Sequence, residues 1–273
     1  MVASHQLTRE TIDLDIDGTS LQVAAMHRPG TRAPVVFLHG FGSTKEDCAD
    51  LALLPQFEGR GLMAFDAPGC GETACSNLAA IDIPFLHRTA EAVLKHFGVE
   101  QYHLVGHSMG GLTALKLASV SGGSVLSFTN IEGNLAPEDC ILSRQIIDYP
   151  AESHGDFMAA LAERSWQTDA PSFRLYAASL PHKVRAGAVA PIFRSMVEIS
   201  DNEDLLGAFT GLACAKMFVY GDANNALSYL GTLMRQGVQL AEISQSGHWP
   251  MYANPTELWA RLAAFIDQSE ATS

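Results

Sequence analysis

Ser108 stands in GHSMGG (residues 106–111), a Gly-x-Ser-x-Gly sequence where a short apolar run gives way to a helix-like segment. At a strand-to-helix junction the flanking glycines permit a tight turn, and the serine hydroxyl is left exposed at the sheet edge as a nucleophile. The same five residues also fit a helix start with a capping serine, so the reading needs other residues beside it. His248 supplies one. It lies in SGHWPMYANP (246–255), between the last strand-like and last helix-like segments, where an imidazole is available to take the proton of Ser108. HGFG (39–42) follows the first apolar run, and there the backbone N–H of Phe41 can join that of Met109 in holding the oxyanion of a tetrahedral intermediate. DAPGCG (66–71) follows the next run. His5, His27, His96, His154 and His182 read as surface or core residues, while His39 and His107 shape the motif loops without exchanging protons.

The elements that must position these residues alternate along the chain. TIDLDID and SLQVAAMH, with Gly18 between them, predict an antiparallel hairpin. Segments 34–40, 62–69, 102–108 and 125–133 are short apolar runs ending in turn residues, the pattern of parallel strands buried on both faces; KMFVYGD and QLAEIS complete the strand set. Helical spacing marks Ile83 to Phe97, the segment after Ser108, Ala226 to Arg235, and NPTELWARLAAFI. Strands alternating with helices predict a parallel sheet covered on both faces. Residues 135–212 differ in texture: CILSRQII, DFMAALAERSW, SFRLYAASL and PIFRSMVEI read as helices punctuated by prolines. An insertion of this length is too long for a structureless loop, and a helical cap over the sheet edge is expected, with 1–134 and 213–273 as the core.

Composition narrows the partners. The 273 residues are 47% hydrophobic, enough for a full core, and carry a formal charge of −13, which disfavours phosphate backbones and anionic membranes. Neither nucleic acid nor a membrane is therefore expected as a partner. The N-terminus MVASHQLTRE lacks the apolar stretch of a signal peptide, and the five scattered cysteines form no C-x-x-C pair, so a cytoplasmic setting with reduced thiols and no metal site is expected.

Taken together, HGFG, DAPGCG, GHSMGG and SGHWPMYANP resemble the α/β-hydrolase fold superfamily over nearly the whole chain. That resemblance implies a mostly parallel, eight-stranded sheet flanked by helices with an inserted helical cap, Ser108 as nucleophile, His248 as general base, Phe41 and Met109 as oxyanion donors, and no cofactor. It also exposes a misfit. The superfamily usually ends the strand that here reads FVYGDANN in Gly-x-x-Asp, whose Asp orients the histidine, but Gly221 is followed three places later by Asn224. Some members, among them a branch of the haloalkane dehalogenases, place a Glu directly after the strand that follows the nucleophile helix. That position is Glu132 here. Asp222, two residues early in its loop, is the alternative acid. Glu132 is preferred because it emerges from a buried strand, where an idle charge is costly.

The chemistry implied is acyl transfer to water through an acyl-enzyme, with a small, largely apolar ester as the default substrate. Lactones, thioesters, amides and carbon–carbon bonds of ring-fission products remain open on the same residues, as does a ligand receptor with little turnover. Asp-nucleophile reactions, dehalogenation and epoxide opening, are disfavoured by Ser108. Phe157, Met158, Trp166, Phe173, Tyr176, Phe193 and Met196 are candidates to wall an apolar pocket in the cap. Oligomeric state is not legible in the sequence.

Overall fold

The computed structural model describes residues 6–148, 154–167 and 171–271. His5 lies outside the described residues, as do the side chains of His154 and Phe157.

Strands β1 (Thr8–Ile16) and β2 (Thr19–Arg28) form the antiparallel hairpin. β3 (Arg32–Leu38) and β4 (Arg60–Phe65) follow, then a two-residue strand β5 (Ala74–Cys75) that pairs with β2. Helix α1 (Ile83–His96) starts where Asp82 accepts a hydrogen bond from Phe85 N–H at 2.7 Å, with Pro84 in the first turn. After it come β6 (Tyr102–His107), α2 (Met109–Val120) and β7 (Val125–Ile131). Five helices then run in succession: α3 (Ile141–Ile147), α4 (His154–Trp166), α5 (Pro171–Lys183), α6 (Val189–Asn202) and α7 (Leu205–Gly211). β8 (Ala215–Gly221), α8 (Leu230–Arg235), β9 (Gln239–Ile243), α9 (Pro250–Ala253) and α10 (Pro255–Ala271) complete the chain.

Among the described residues the sheet has the order β1-β2-β4-β3-β6-β7-β8-β9 with β5 beside β2, nine strands where the sequence leads one to expect eight. The first two joins are antiparallel and every later one is parallel. Strand order reverses beside β3, whose neighbours are β4 and β6, so the crevice for a ligand lies at the carboxyl ends of β3 and β6. Those ends carry HGFG and Ser108.

Burial follows the apolar runs. All of β4 and β6 is buried, as are Val35 to Leu38 of β3, in keeping with helices on both faces. Helix α10 is seated by the fully buried Trp259, which meets Phe37 edge-on at 6.4 Å and donates from Nε1 to Asp50 at 2.6 Å. At its far end Glu270 accepts from Arg60 and Arg32, and from His103 at 3.1 Å, which locks the closing helix to the start of three strands. Two local expectations change. α8 begins at Leu230, not near Ala226, and Asp222–Asn224 form a short 3-10 turn before it. α7 and β5 carry no signal in the sequence strong enough to predict them. Among the described residues no helix is long and apolar enough to cross a membrane, and all five cysteines are free.

Candidate active site

Ser108 sits between β6 and α2 with φ +51°, a left-handed backbone that a non-glycine residue adopts only under constraint. The constraint is visible. Its N–H donates to Ile131 O at 3.0 Å, and Gly106 and Gly110 leave no room for side chains: a Cβ on Gly106 would lie 2.5 Å from Gly110 O, and one on Gly110 would lie 2.1 Å from Leu38 O. Strand, turn and helix are thus pressed into one tight junction, and the serine remains partly exposed at its apex.

β7 leaves the sheet one register step away. His107 pairs with Ile131, and Ile131 with Val219 of β8. Glu132 follows with φ +47°, its N–H donating to Val219 O at 3.0 Å. Its side chain, 6% exposed, accepts four hydrogen bonds: on Oε1 from Gly221 N–H (2.8 Å) and Asn224 Nδ2 (2.9 Å), and on Oε2 from Asn224 Nδ2 (2.8 Å) and His248 Nδ1 (2.8 Å). Burial pushes the carboxyl pKa up, but the bond and charge of His248 and the donors from Asn224 and Gly221 outweigh it, and the net shift is downward. Glu132 is therefore a carboxylate in the working pH range. Because a carboxylate accepts only, Nδ1 of His248 carries the proton and Nε2 keeps its lone pair.

Asn224, the residue where an aspartate is usual, thus donates its amide to both oxygens of Glu132. Asp222, weighed as the alternative acid, has other partners: its oxygens accept from Gln245 N–H (2.8 Å) and Ser246 N–H (3.0 Å). Those backbone bonds hold its carboxyl below the usual range. Asp222 accordingly shapes the turn that precedes His248, and the structure brings Glu132, not Asp222, to the imidazole.

His107 secures the same turn from the other side. Its Nε2 donates to the carbonyl of His248 at 2.8 Å, and the two rings lie 5.0 Å apart. Burial, then the nearby His248, pushes the His107 pKa down to about 3, so this ring stays neutral and is a fixed donor. His39 holds the other loop, accepting from Ala67 N–H on Nε2 at 2.9 Å, with Nδ1 2.7 Å from its neighbour's carbonyl oxygen at Gly40. Neither role was legible as a contact in the sequence, although both histidines stood out as loop-shaping residues.

Phe41 and Met109 flank Ser108 from two elements. Met109 is the first residue of α2, where a backbone N–H has no acceptor within its own helix. Phe41 lies just beyond β3, its ring meeting Phe193 edge-on at 4.6 Å. The helices between residues 137 and 211 cover this region unevenly. Met158, Tyr176, Phe193 and Met196 are buried, and Phe173 packs edge-on against Trp249 at 4.5 Å. Trp166 departs from expectation: at 54% exposed it faces solvent.

A sequence profile described as the alpha/beta hydrolase family matches residues 35–262. Over 100 residues the chain is 36% identical to the dihydrolipoyllysine-residue acetyltransferase component of the acetoin cleaving system of Pseudomonas putida, covering 36% of this chain and 26% of that protein. The chain therefore spans about a quarter of that relative's length. Among solved structures, one from work on carboxylesterases of the thaumarchaeon Nitrososphaera gargenis superposes with a TM-score of 0.79 at 16% identity, covering 96% of this chain and 100% of the other. A thermophilic esterase from Thermogutta terrifontis gives 0.75 at 18% identity, covering 96% and 99%. At such identities the likeness is one of fold.

Proposed function

The chain belongs to the alpha/beta hydrolase family, and from that premise we propose that it is a serine hydrolase acting on carboxylic esters of small, largely apolar acids. The observation that carries this reading is the bond between His248 Nδ1 and Glu132 Oε2 at 2.8 Å, formed one register step from the strained turn that presents Ser108. It explains why a buried carboxylate stands at the end of β7 and which imidazole nitrogen is left basic.

In the proposed reaction Nε2 of His248 takes the proton of Ser108 as Oγ attacks the ester carbonyl. The N–H groups of Phe41 and Met109 hold the oxyanion, and Glu132 stabilises the imidazolium. Collapse expels the alcohol with the proton from His248, leaving an acyl-serine. Water, activated by the same imidazole, then releases the acid and restores Ser108. No cofactor enters either half.

Ester cleavage is favoured over amide cleavage because an alcohol leaves more readily than an amine, and the buried rings of Phe193 and Tyr176 beside Phe41 suit an apolar acyl group. Turnover of p-nitrophenyl esters of increasing chain length, measured beside lactones, thioesters and anilides, tests the assignment. Esters should be hydrolysed fastest. Turnover of one of the other classes with esters left intact would replace the ester reading.

A further inference from the structure

The loop at residues 69–71 is stitched to the end of α5. Gly71 N–H donates to Lys183 O (2.8 Å), Arg185 N–H to Gly69 O (2.9 Å) and Arg185 Nη2 to Gly71 O (2.8 Å), while Cys70 and Val184 form an antiparallel bridge. These bonds fix the last turn of α5 on the core. About two turns back along the helix stands Tyr176, 3% exposed.

Tyr176 touches both loops that serve Ser108. Its hydroxyl donates to Phe41 O at 3.2 Å, and its ring lies 4.5 Å from that of Trp249, tilted by 31°. Trp249 directly follows His248, and their rings meet edge-on at 4.9 Å. The approach of the helix is close: at Gly42, whose φ is +73°, a Cβ would lie 2.4 Å from Leu180 Cδ1 and 2.7 Å from Tyr176 Oη. Burial pushes the phenol pKa far above its ordinary value, so Tyr176 keeps its proton and remains a donor. A phenol buried this deeply needs an acceptor, and the one it has is the carbonyl of the residue proposed to hold the oxyanion.

We propose that Tyr176 is a positioning residue that fastens α5 to both the 39–45 loop and the His248 loop, so that the two halves of the site are in register only while this helix is seated. The proposal rests on the serine-hydrolase reading for its catalytic consequence. It also gives DAPGCG a role: the loop pins the helix that carries Tyr176. Phe41 O lies in the peptide plane that follows the Phe41 Cα, and fixing that plane limits the rotation left to the preceding one, which carries the Phe41 N–H.

Tyr176→Phe keeps the ring on Trp249 and deletes only the hydroxyl, whereas Tyr176→Leu removes both contacts. Three measurements on the full chain separate the outcomes: deuterium exchange of peptides covering 39–45 and 245–252, the rate of Ser108 labelling by a fluorophosphonate, and kcat and KM on a p-nitrophenyl ester. For Tyr176→Phe, kcat and labelling should fall about 5- to 10-fold with KM little changed, as expected when the oxyanion donor that Tyr176 orients is weakened by about the worth of one net hydrogen bond. Exchange should quicken in 39–45 alone, and in Tyr176→Leu it should quicken in both segments. A role limited to general stability would lower Tm without the kcat-against-KM split or the local exchange. Unchanged exchange in 39–45 together with unchanged kcat in Tyr176→Phe would overturn the proposal. If the native protein takes no label at Ser108, the serine reading fails on its own, and exchange decides the coupling: local quickening supports it and its absence overturns it.

Discussion

Glu132→Gln is the substitution whose cost follows most completely from the hydrogen bonds. The carboxylate accepts on both oxygens, from Gly221 and Asn224 on Oε1 and from Asn224 and His248 on Oε2. A glutamine of the same shape must turn an amide NH2 toward one of these pairs. With the NH2 at the Oε2 position, two donors meet at Asn224, and His248 Nδ1 must become an acceptor, which places the proton on Nε2 and removes the base. With the NH2 at the Oε1 position, the tautomer survives and Asn224 still donates to the remaining oxygen, but Gly221 N–H loses its acceptor and no charge remains to stabilise the imidazolium. Either orientation leaves buried donors unpaired, at a cost of about 1–3 kcal/mol in stability. The loss in kcat should be about 10²- to 10⁴-fold, the range seen when a triad acid loses its charge, or about 2.7–5.5 kcal/mol in barrier. Because the pKa of Glu132 is lowered in the fold, its stabilisation is complete above about pH 4.3 and is lost as pH falls through the folded value; the stability gap between native protein and variant should therefore narrow in acid. Steady-state hydrolysis of p-nitrophenyl acetate, with urea unfolding at several pH values, reads both effects. Restoring charge across the same contact, with Asn224→Asp added to Glu132→Gln, should recover part of kcat: the glutamine NH2 then donates to the new carboxylate and its oxygen accepts from His248. Asn224→Asp alone should lower activity, since two carboxylates would face each other across a hydrogen-bond distance and share a proton. A folded Glu132→Gln protein with undiminished kcat would refute this reasoning.

Other outcomes follow from neighbouring contacts. Ser108→Ala should reduce kcat by about 10³-fold or more with the circular-dichroism spectrum unchanged, because only the attacking oxygen is deleted. Asp222→Asn should cost a few-fold in kcat, since one oxygen still accepts from the Gln245–Ser246 turn; a larger loss there than in Glu132→Gln would reverse the assignment of the acid. His107 stays neutral in the fold down to about pH 3, whereas the unfolded chain protonates it near pH 6.5, so stability should fall by about 1.4 kcal/mol per pH unit as pH drops through that window. His107→Gln keeps a donor for His248 O, and its unfolding free energy, measured from about pH 7 to about pH 4, should show that slope reduced by one proton.

The sequence carried the sheet and the candidate catalytic residues for a shared reason. Parallel strands buried on both faces read as apolar runs, and the candidate site residues sit at the ends of those runs, so counting from β6 and β7 reaches Ser108 and Glu132 directly. β5, with two residues, has no period to detect. α8 starts at Leu230, after a stretch in which Asp222 and Asn224 are engaged with the histidine turn and with Glu132, and Ser228 N–H donates to Glu138, long-range contacts that no local helical pattern shows. An amphipathic pattern also does not say which apolar residue meets a partner, so Trp166, exposed, and Phe173, packed on Trp249, look alike in sequence. The meaning of Asn224 was illegible for a further reason: it donates to a carboxylate 92 positions away along the chain, and spacing within its own loop shows only that an acid is missing.

The central claim, that Ser108 becomes acylated during turnover, is tested most directly by acid-quenching the protein in the first turnover of a p-nitrophenyl ester and mapping the adduct by peptide mass spectrometry. The account predicts one acyl group, on Ser108, formed with a burst of p-nitrophenol and absent from Ser108→Ala. An adduct on another residue, or undiminished hydrolysis by Ser108→Ala, would contradict it.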